Sequence, residues 1–236
     1  MYIQTKAIIL SVIKYNETGA VLKAYTAQTG FTAYFIRNFF KSRKIKKALF
    51  QPNALLEIWA TDKNKGQLEY IKEAQAIYHY KNIHLDYNKL NVSTFLREVL
   101  LESLKNEQAD PELFEFIYKK FVALDSTDFH PDFHIYFLLE LTKYLGFFPD
   151  YQSEGKYFDM QNGLFTPGIP PFQYLNAEET GLFRDFLGTI FATKNLLNIN
   201  HSGRVKLLHI LLDYYRLHIE QFIIPKSVKI LHQIYD

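Results

Sequence analysis

Between Arg37 and Lys47 the chain reads Arg37-Asn38-Phe39-Phe40-Lys41-Ser42-Arg43-Lys44-Ile45-Lys46-Lys47, six cations in eleven residues with no acid among them. The chemistry open to such a run is recognition of a polyanion. Phosphates repeat along a nucleic-acid strand, so flexible cations spaced this closely neutralise several at once and release condensed counterions. Six contacts to a single strand would weaken binding by about 10²–10³ between roughly 50 and 200 mM salt, at a slope of about −0.7 per phosphate. Phe39 and Phe40 offer rings for base stacking, worth about 1–3 kcal/mol for each base stacked. One of two adjacent residues usually faces inward, so at least one of the pair is expected in a core. The bland alternative is a solvated loop beside two core phenylalanines. Lys6, Lys14 and Lys23 either extend the basic face or are ordinary solvent-side lysines.

Other chemistries find less support. His130 and His134 stand four apart beside Asp128 and Asp132, a spacing that holds zinc on some helices. The same residues equally suit a helix start, where acids and caps collect, and no third ligand follows at a recognisable spacing. The chain has no cysteine, which removes disulfides, thiolate metal sites and thiol nucleophiles. Neither a phosphate-binding Walker loop, nor Gly-x-Gly-x-x-Gly, nor Gly-x-Ser-x-Gly occurs. The expectation is a protein that is not an enzyme and needs no cofactor or metal.

Charge is distributed unevenly along the 236 residues. Residues 1–80 hold twelve Lys/Arg against five Asp/Glu, and residues 81–236 hold fifteen against twenty, although the net charge of the whole is only +2. A basic first third is the footprint of a nucleic-acid-binding module. The first residues lack the pattern of a secretory leader, and no run of about 18 apolar residues occurs, so a cytoplasmic location without membrane contact is expected.

The elements that must position the basic run are legible from periodicity. Five strands are predicted, over Thr5–Tyr15, Ala20–Thr26, Phe31–Ile36, Ala54–Ala60 and Leu68–Ala76. Turn clusters lie at Asn16-Glu17-Thr18-Gly19, Gln28-Thr29-Gly30 and Lys63-Asn64-Lys65-Gly66. Five short strands at this spacing suit a small barrel of the OB type, which curls up to remove its edges. Beyond about residue 85 the period becomes helical. Helices are expected through Leu90–Leu100, from Pro111 to beyond Phe121, from about Pro131 to Gly146, over Asn176–Leu197 and Ser202–Ile219, and from Pro225. Residues 147–175 hold three of the ten glycines and four of the eight prolines and read as loop or irregular hairpin. The fold class is therefore α+β, a five-stranded OB-type β-barrel over residues 1–80 followed by an all-helical domain over 81–236.

The residues also resemble the RecO family of bacterial recombination proteins. In the first 80 residues the resemblance lies in Thr5-Lys6-Ala7-Ile8-Ile9-Leu10, the Asn16–Gly19 turn, Gly30, and Ser42 and Arg43 ahead of Leu49, Gln51 and Pro52. Further on it lies in Leu145-Gly146-Phe147-Phe148-Pro149-Asp150, Tyr157-Phe158-Asp159 before Gly163, Leu211–His218 and Lys226–Leu231. The resemblance implies a recombination mediator in DNA repair. Such a protein binds single- and double-stranded DNA, anneals complementary strands, and works with RecR to load RecA onto DNA coated by the single-stranded-DNA-binding protein. It also implies a receptor in the helical half for that protein's acidic C-terminal tail, with Lys119, Lys120 and Lys143, or Arg97, as rim cations. Many members carry a four-cysteine zinc site after the Leu145–Pro149 stretch, and this cysteine-free chain departs there. An OB-fold RNA-binding factor that docks on a ribonucleoprotein remains the alternative.

Overall fold

The computed structural model describes residues 2–41, 47–62, 68–191 and 199–234, which divide between two compact units, residues 1–129 with 225–231, and residues 130–224 with 232–236.

The first unit opens with a closed barrel of five strands, β1 (Tyr2–Lys14), β2 (Ala20–Thr26), β3 (Gly30–Ile36), β4 (Leu55–Thr61) and β5 (Glu69–Ala76), ordered β1-β2-β3-β5-β4. The α+β class and its five-stranded beginning are as the sequence predicts. β1 begins three residues before the expected Thr5 because its first half pairs with β4, Tyr2 opposite Thr61, while its second half pairs with β2 across a bulge near Leu10. Inward residues alternate in the strand rhythm: Ala7 and Ile9, Leu22 and Ala24, Tyr34 and Ile36, and Leu56, Ile58 and Ala60 form the core. The barrel closes between β3 and β5 through a parallel pairing of two residues, Tyr34 with Glu69 and Phe35 with Tyr70.

Turn chemistry follows the sequence. Asn16 Oδ1 accepts from the backbone N–H groups of Thr18 and Gly19 at 3.0 and 2.7 Å, an Asx turn. At Gly30 φ is +65°, and a Cβ there would stand 2.6 Å from the Glu107 carbonyl oxygen. Only glycine lets the β2–β3 turn come this close to the segment after the first helix, where Phe31 N–H donates to the Glu107 carbonyl at 3.2 Å.

Two helices follow the barrel in the first unit, α1 (Tyr87–Ser103) and α2 (Pro111–Ser126), each opened by an aspartate. The side chains of Asp86 and Asp110 accept from the first-turn N–H groups, and Pro111 sits where a helix has no use for its missing N–H. The compact unit thus ends near residue 129, beyond the change from strand to helix at about residue 80, because α1 and α2 are tied to the barrel. Arg97 donates to the Leu10 carbonyl at 3.1 Å, and Tyr25 Oη to the Gln108 carbonyl at 3.2 Å. A buried carboxylate, Asp125, gathers the linker after β5: it accepts from the N–H groups of Lys81, Asn82 and Ile83 and from the Tyr78 hydroxyl. The last helix, α6 (Val228–Ile234), starts three residues after the predicted Pro225. Ser227 ahead of it donates through N–H and Oγ to the Glu98 carboxylate, at 3.1 and 2.9 Å, which fixes the approach in another conformation.

The second unit is built from α3 (Phe133–Tyr144), α4 (Ala177–Phe191) and α5 (His201–His218), with a three-stranded sheet of order β7-β6-β8 from β6 (Tyr157–Asp159), β7 (Leu164–Thr166) and β8 (Tyr174–Leu175). The predicted stop of α3 at Gly146 is realised with φ +82°, and Phe147 N–H bonds back to the Thr142 carbonyl at 3.0 Å. Residues 192–197 of the helix expected to follow Asn176 lie outside the described residues.

Candidate nucleic-acid interface

The basic run begins where β3 ends. Asn38 takes a left-handed backbone with φ +54°, a conformation asparagine tolerates better than most residues, and the chain turns sharply there. Consecutive side chains are thereby sent to opposite sides. Phe39 is 5% exposed and lies in the barrel core against Phe50, ring centroids 6.0 Å apart, whereas Phe40 is 38% exposed and meets Phe39 edge-on. Of the two rings offered for stacking, Phe39 is the one that faces inward, as expected of at least one of the pair, and is withdrawn as a stacking residue; Phe40 presents a face to solvent.

Of the six cations, Arg37, Lys41 and Lys47 are described, and all three are exposed. The Arg37 guanidinium lies over the Tyr70 ring, 5.1 Å from its centroid, and Lys47 Nζ donates to the Phe40 carbonyl at 3.0 Å, which ties the far end of the run to its beginning. Arg43, Lys44 and Lys46 lie outside the described residues. Among the strand lysines, Lys6 stands over the Tyr118 ring of α2 and Lys14 pairs with Glu17, while Lys23 is half-buried.

Beside the run lies a cleft of about 1090 Å³, bounded by the end of β3, the 3₁₀ turn Lys47–Phe50 and β5, with contributions from β1 and β4. Its walls carry Tyr2, Phe35, Trp59 and Tyr70, and its cations are Arg37 and Lys72. Phe35 and Tyr70 meet edge-to-face with centroids 5.9 Å apart, and Lys72 Nζ stands 5.8 Å from the Tyr2 ring centroid. Sequence reasoning missed Tyr2, Trp59, Tyr70 and Lys72, which stand far apart in the chain and outside the basic run. The available signal was alternation: Trp59 falls between the inward residues Ile58 and Ala60, so its ring must point away from the core.

The residues suggested as a receptor rim divide between the two units. Arg97 is held by the Leu10 carbonyl, and burial lowers its pKa, so it serves the packing of α1 on the barrel and is corrected from rim cation to structural anchor. Lys119 pairs with Glu115 at 3.8 Å and Lys120 lies over Phe116, both on α2 of the first unit. Lys143 belongs to the second unit, where it lies over Phe148.

His130 and His134 do not converge. His130 Nδ1 accepts from the Asp132 N–H at 3.3 Å, and His134 is wholly buried. Burial, with the Arg204 charge adding to it and a bond to the Pro131 backbone opposing, pushes the His134 imidazole down to about 3. Among the described residues no three His, Asp or Glu side chains gather as metal ligands. A four-cysteine zinc site does not fit this chain, whose segment after Pro149 is held instead by polar turns and aromatic packing. Asp159 accepts from the N–H groups of Gln161 and Asn162 at 2.9 and 3.0 Å, and Phe158 packs on Phe165, Phe183 and Tyr214.

Comparison with known proteins agrees with this architecture. Residues 1–80 match the family model described as recombination protein O N terminal, and residues 84–160 that described as recombination protein O C terminal. The DNA repair protein RecO of Flavobacterium psychrophilum is 38% identical over all of both chains. That of Christiangramia forsetii is 37% identical over all of both chains, and that of Bacteroides fragilis 33% identical over 99% of each. This chain belongs to the RecO family. The RecO relatives carry the name of DNA repair proteins, which gives the exposed cations at the end of β3 their context. Among the described residues no helix is long and apolar enough to cross a membrane.

Proposed function

We propose that this chain is a non-enzymatic, cytoplasmic recombination mediator whose barrel grips single-stranded DNA, and less selectively duplex DNA, through the segment from Arg37 to Lys47. The observation that carries this reading is the joint exposure of Arg37, Lys41 and Lys47 at the end of β3, in the stretch of chain that holds the excess of positive charge. Arg43, Lys44 and Lys46 add three more cations by sequence, and Phe40 adds one exposed ring. Contacts of this kind position a strand without reading its sequence, which suits a protein that must act on any damaged site.

In this reading residues 1–80 form the DNA-binding module. RecR is a partner, and residues 81–236 receive the acidic tail of the single-stranded-DNA-binding protein near Lys119 and Lys120 or near Lys143. The mediator anneals complementary strands and helps load RecA.

Replacing Arg37, Lys41, Arg43, Lys44, Lys46 and Lys47 together with alanine tests the central claim. Affinity for all single-stranded sequences should fall alike, and the dependence of log K on log salt should flatten by up to about 4, six contacts at roughly 0.7 each. An unchanged salt slope refutes it. Annealing of complementary strands coated with the single-stranded-DNA-binding protein tests the mediator role, and tighter binding of a matched RNA than of DNA would favour an RNA-binding factor.

A further inference from the structure

We propose that the cleft beside β3 and β5 holds an unpaired nucleobase against the Trp59 indole, so that the barrel senses single strands through their bases as well as their phosphates. This rests on the DNA-binding reading above and names a second contact within it.

Three observations carry it. First, the cleft combines what a nucleotide offers with what it needs: rings on the walls, apolar residues such as Ile36 and Ile71 among its lining, and Arg37 and Lys72 as cations, against one lining carboxylate, Glu73. At about 1090 Å³ it is slightly larger than the range of roughly 300–1,000 Å³ typical of small-ligand sites, room for a base with its sugar. Second, the wall rings are held at fixed angles. Phe35 is clamped edge-on between Tyr15 and Tyr70, with centroids 5.5 and 5.9 Å away, and Tyr70 is covered by Arg37. A rigid surface loses little freedom when a base settles on it. Third, the Trp59 indole is uncommitted. It is half-buried on the outer side of β4, and among the described residues no ring packs on it and nothing accepts from its N–H. A base stacked there gains a π-face and an indole donor for its carbonyl or ring nitrogen. Bases within a duplex are already stacked and paired and cannot enter, so the contact discriminates single strands where phosphate contacts alone do not.

Trp59 is the chain's only tryptophan, so the proposed contact reports on itself. Full-length protein is titrated with oligothymidylate and with an abasic phosphodiester of equal length, following tryptophan emission and the anisotropy of a labelled strand. Oligothymidylate should bind more tightly than the abasic strand and quench Trp59 saturably, and the abasic strand should bind with little quenching. Trp59→Ala should lose about 5- to 150-fold in affinity for oligothymidylate, the range for one lost base–aromatic stack, and nothing for the abasic strand. Trp59→Phe should restore most of the loss, which separates stacking from a folding defect. Equal affinity for both strands, or binding that leaves Trp59 emission unmoved, overturns the cleft proposal while the phosphate-binding role stands. No binding of either strand at low salt overturns both. Saturable quenching by an acidic peptide ending in phenylalanine at lower concentration than oligothymidylate assigns the cleft to a protein partner and overturns the proposal.

Discussion

Asp125 offers the sharpest test of how the first unit is assembled. Its carboxylate is fully buried and accepts four donors: the N–H groups of Lys81, Asn82 and Ile83 at 3.0, 2.7 and 2.8 Å, and the Tyr78 hydroxyl at 2.9 Å. Burial pushes this carboxyl up, but the three backbone donors and Tyr78 together outweigh burial and hold it below the usual carboxylate range. Asp125→Ala strands four buried donors at once. Hydrogen bonds to a charged group are worth about 1.5–3 kcal/mol singly and do not add in full, so a loss of about 3–5 kcal/mol is expected. For a unit of this size that lowers the melting temperature by roughly 10–20 °C. Asp125→Asn keeps the shape but turns an amide donor towards an N–H group, and should lose about 2–3 kcal/mol. Urea unfolding followed through Trp59 emission reports this unit selectively. Because the folded pKa is depressed, the carboxylate's contribution is complete above the unfolded value of about 3.9 and fades as pH falls through the folded one. The gap between wild type and Asp125→Asn should therefore hold steady from pH 7 to 5 and narrow towards pH 2. A loss under about 1 kcal/mol for Asp125→Ala, or a gap that widens with acid, refutes the reasoning.

Three further outcomes follow from burial and charge. Phe39→Ala should lose about 3–5 kcal/mol by opening a cavity in the barrel end, and Phe40→Ala under about 1 kcal/mol; comparable losses by urea unfolding would contradict the inward and outward assignment. Asp132 is buried and ion-paired with Arg204, so Arg204→Met should cost about 3–5 kcal/mol by leaving a buried carboxylate alone, measured by far-ultraviolet circular dichroism. His134 stays neutral in the folded chain down to about pH 3 while the unfolded chain protonates below about pH 6.5. Between those values stability should fall with acid by up to about 1.4 kcal/mol per pH unit, and His134→Gln should flatten that limb; an identical acid limb in the variant would count against it.

What the sequence discloses is what local chemistry decides. Strand alternation, the Asn16 and Gly30 turns, the proline at the head of α2 and the glycine after α3 are each realised where expected. The departures have partners distant in sequence. β1 is lengthened by Thr61, α6 is delayed by Glu98, and α1 is bound to the barrel by Arg97 reaching Leu10. The candidate site divides the same way. A run of cations can be read from composition alone, because solvated charge needs no partner. The cleft assembles from Tyr2, Phe35, Trp59 and Tyr70 on four strands, and only the barrel's closure makes them neighbours.

That closure also explains why the aromatic residues of the barrel divide into two groups. A barrel this small must fill its interior with side chains, and Tyr34, Phe39 and Phe50 are spent on that task. The pairing that closes β3 on β5 extends over two residues only. Beyond it neither strand continues the ladder, and the side chains at the end of β3 and along β5 border open space instead of a third layer. Rings at such positions gain little from the core and line the cleft, while the cations above them, Arg37 over Tyr70 and Lys72 over Tyr2, rest against aromatic faces that orient them without neutralising them. A carboxylate partner would hold the same cations equally well but would compete with phosphate. Ring contacts therefore leave the positive charge available at the edge of the cleft, where a strand following the basic run would first meet it.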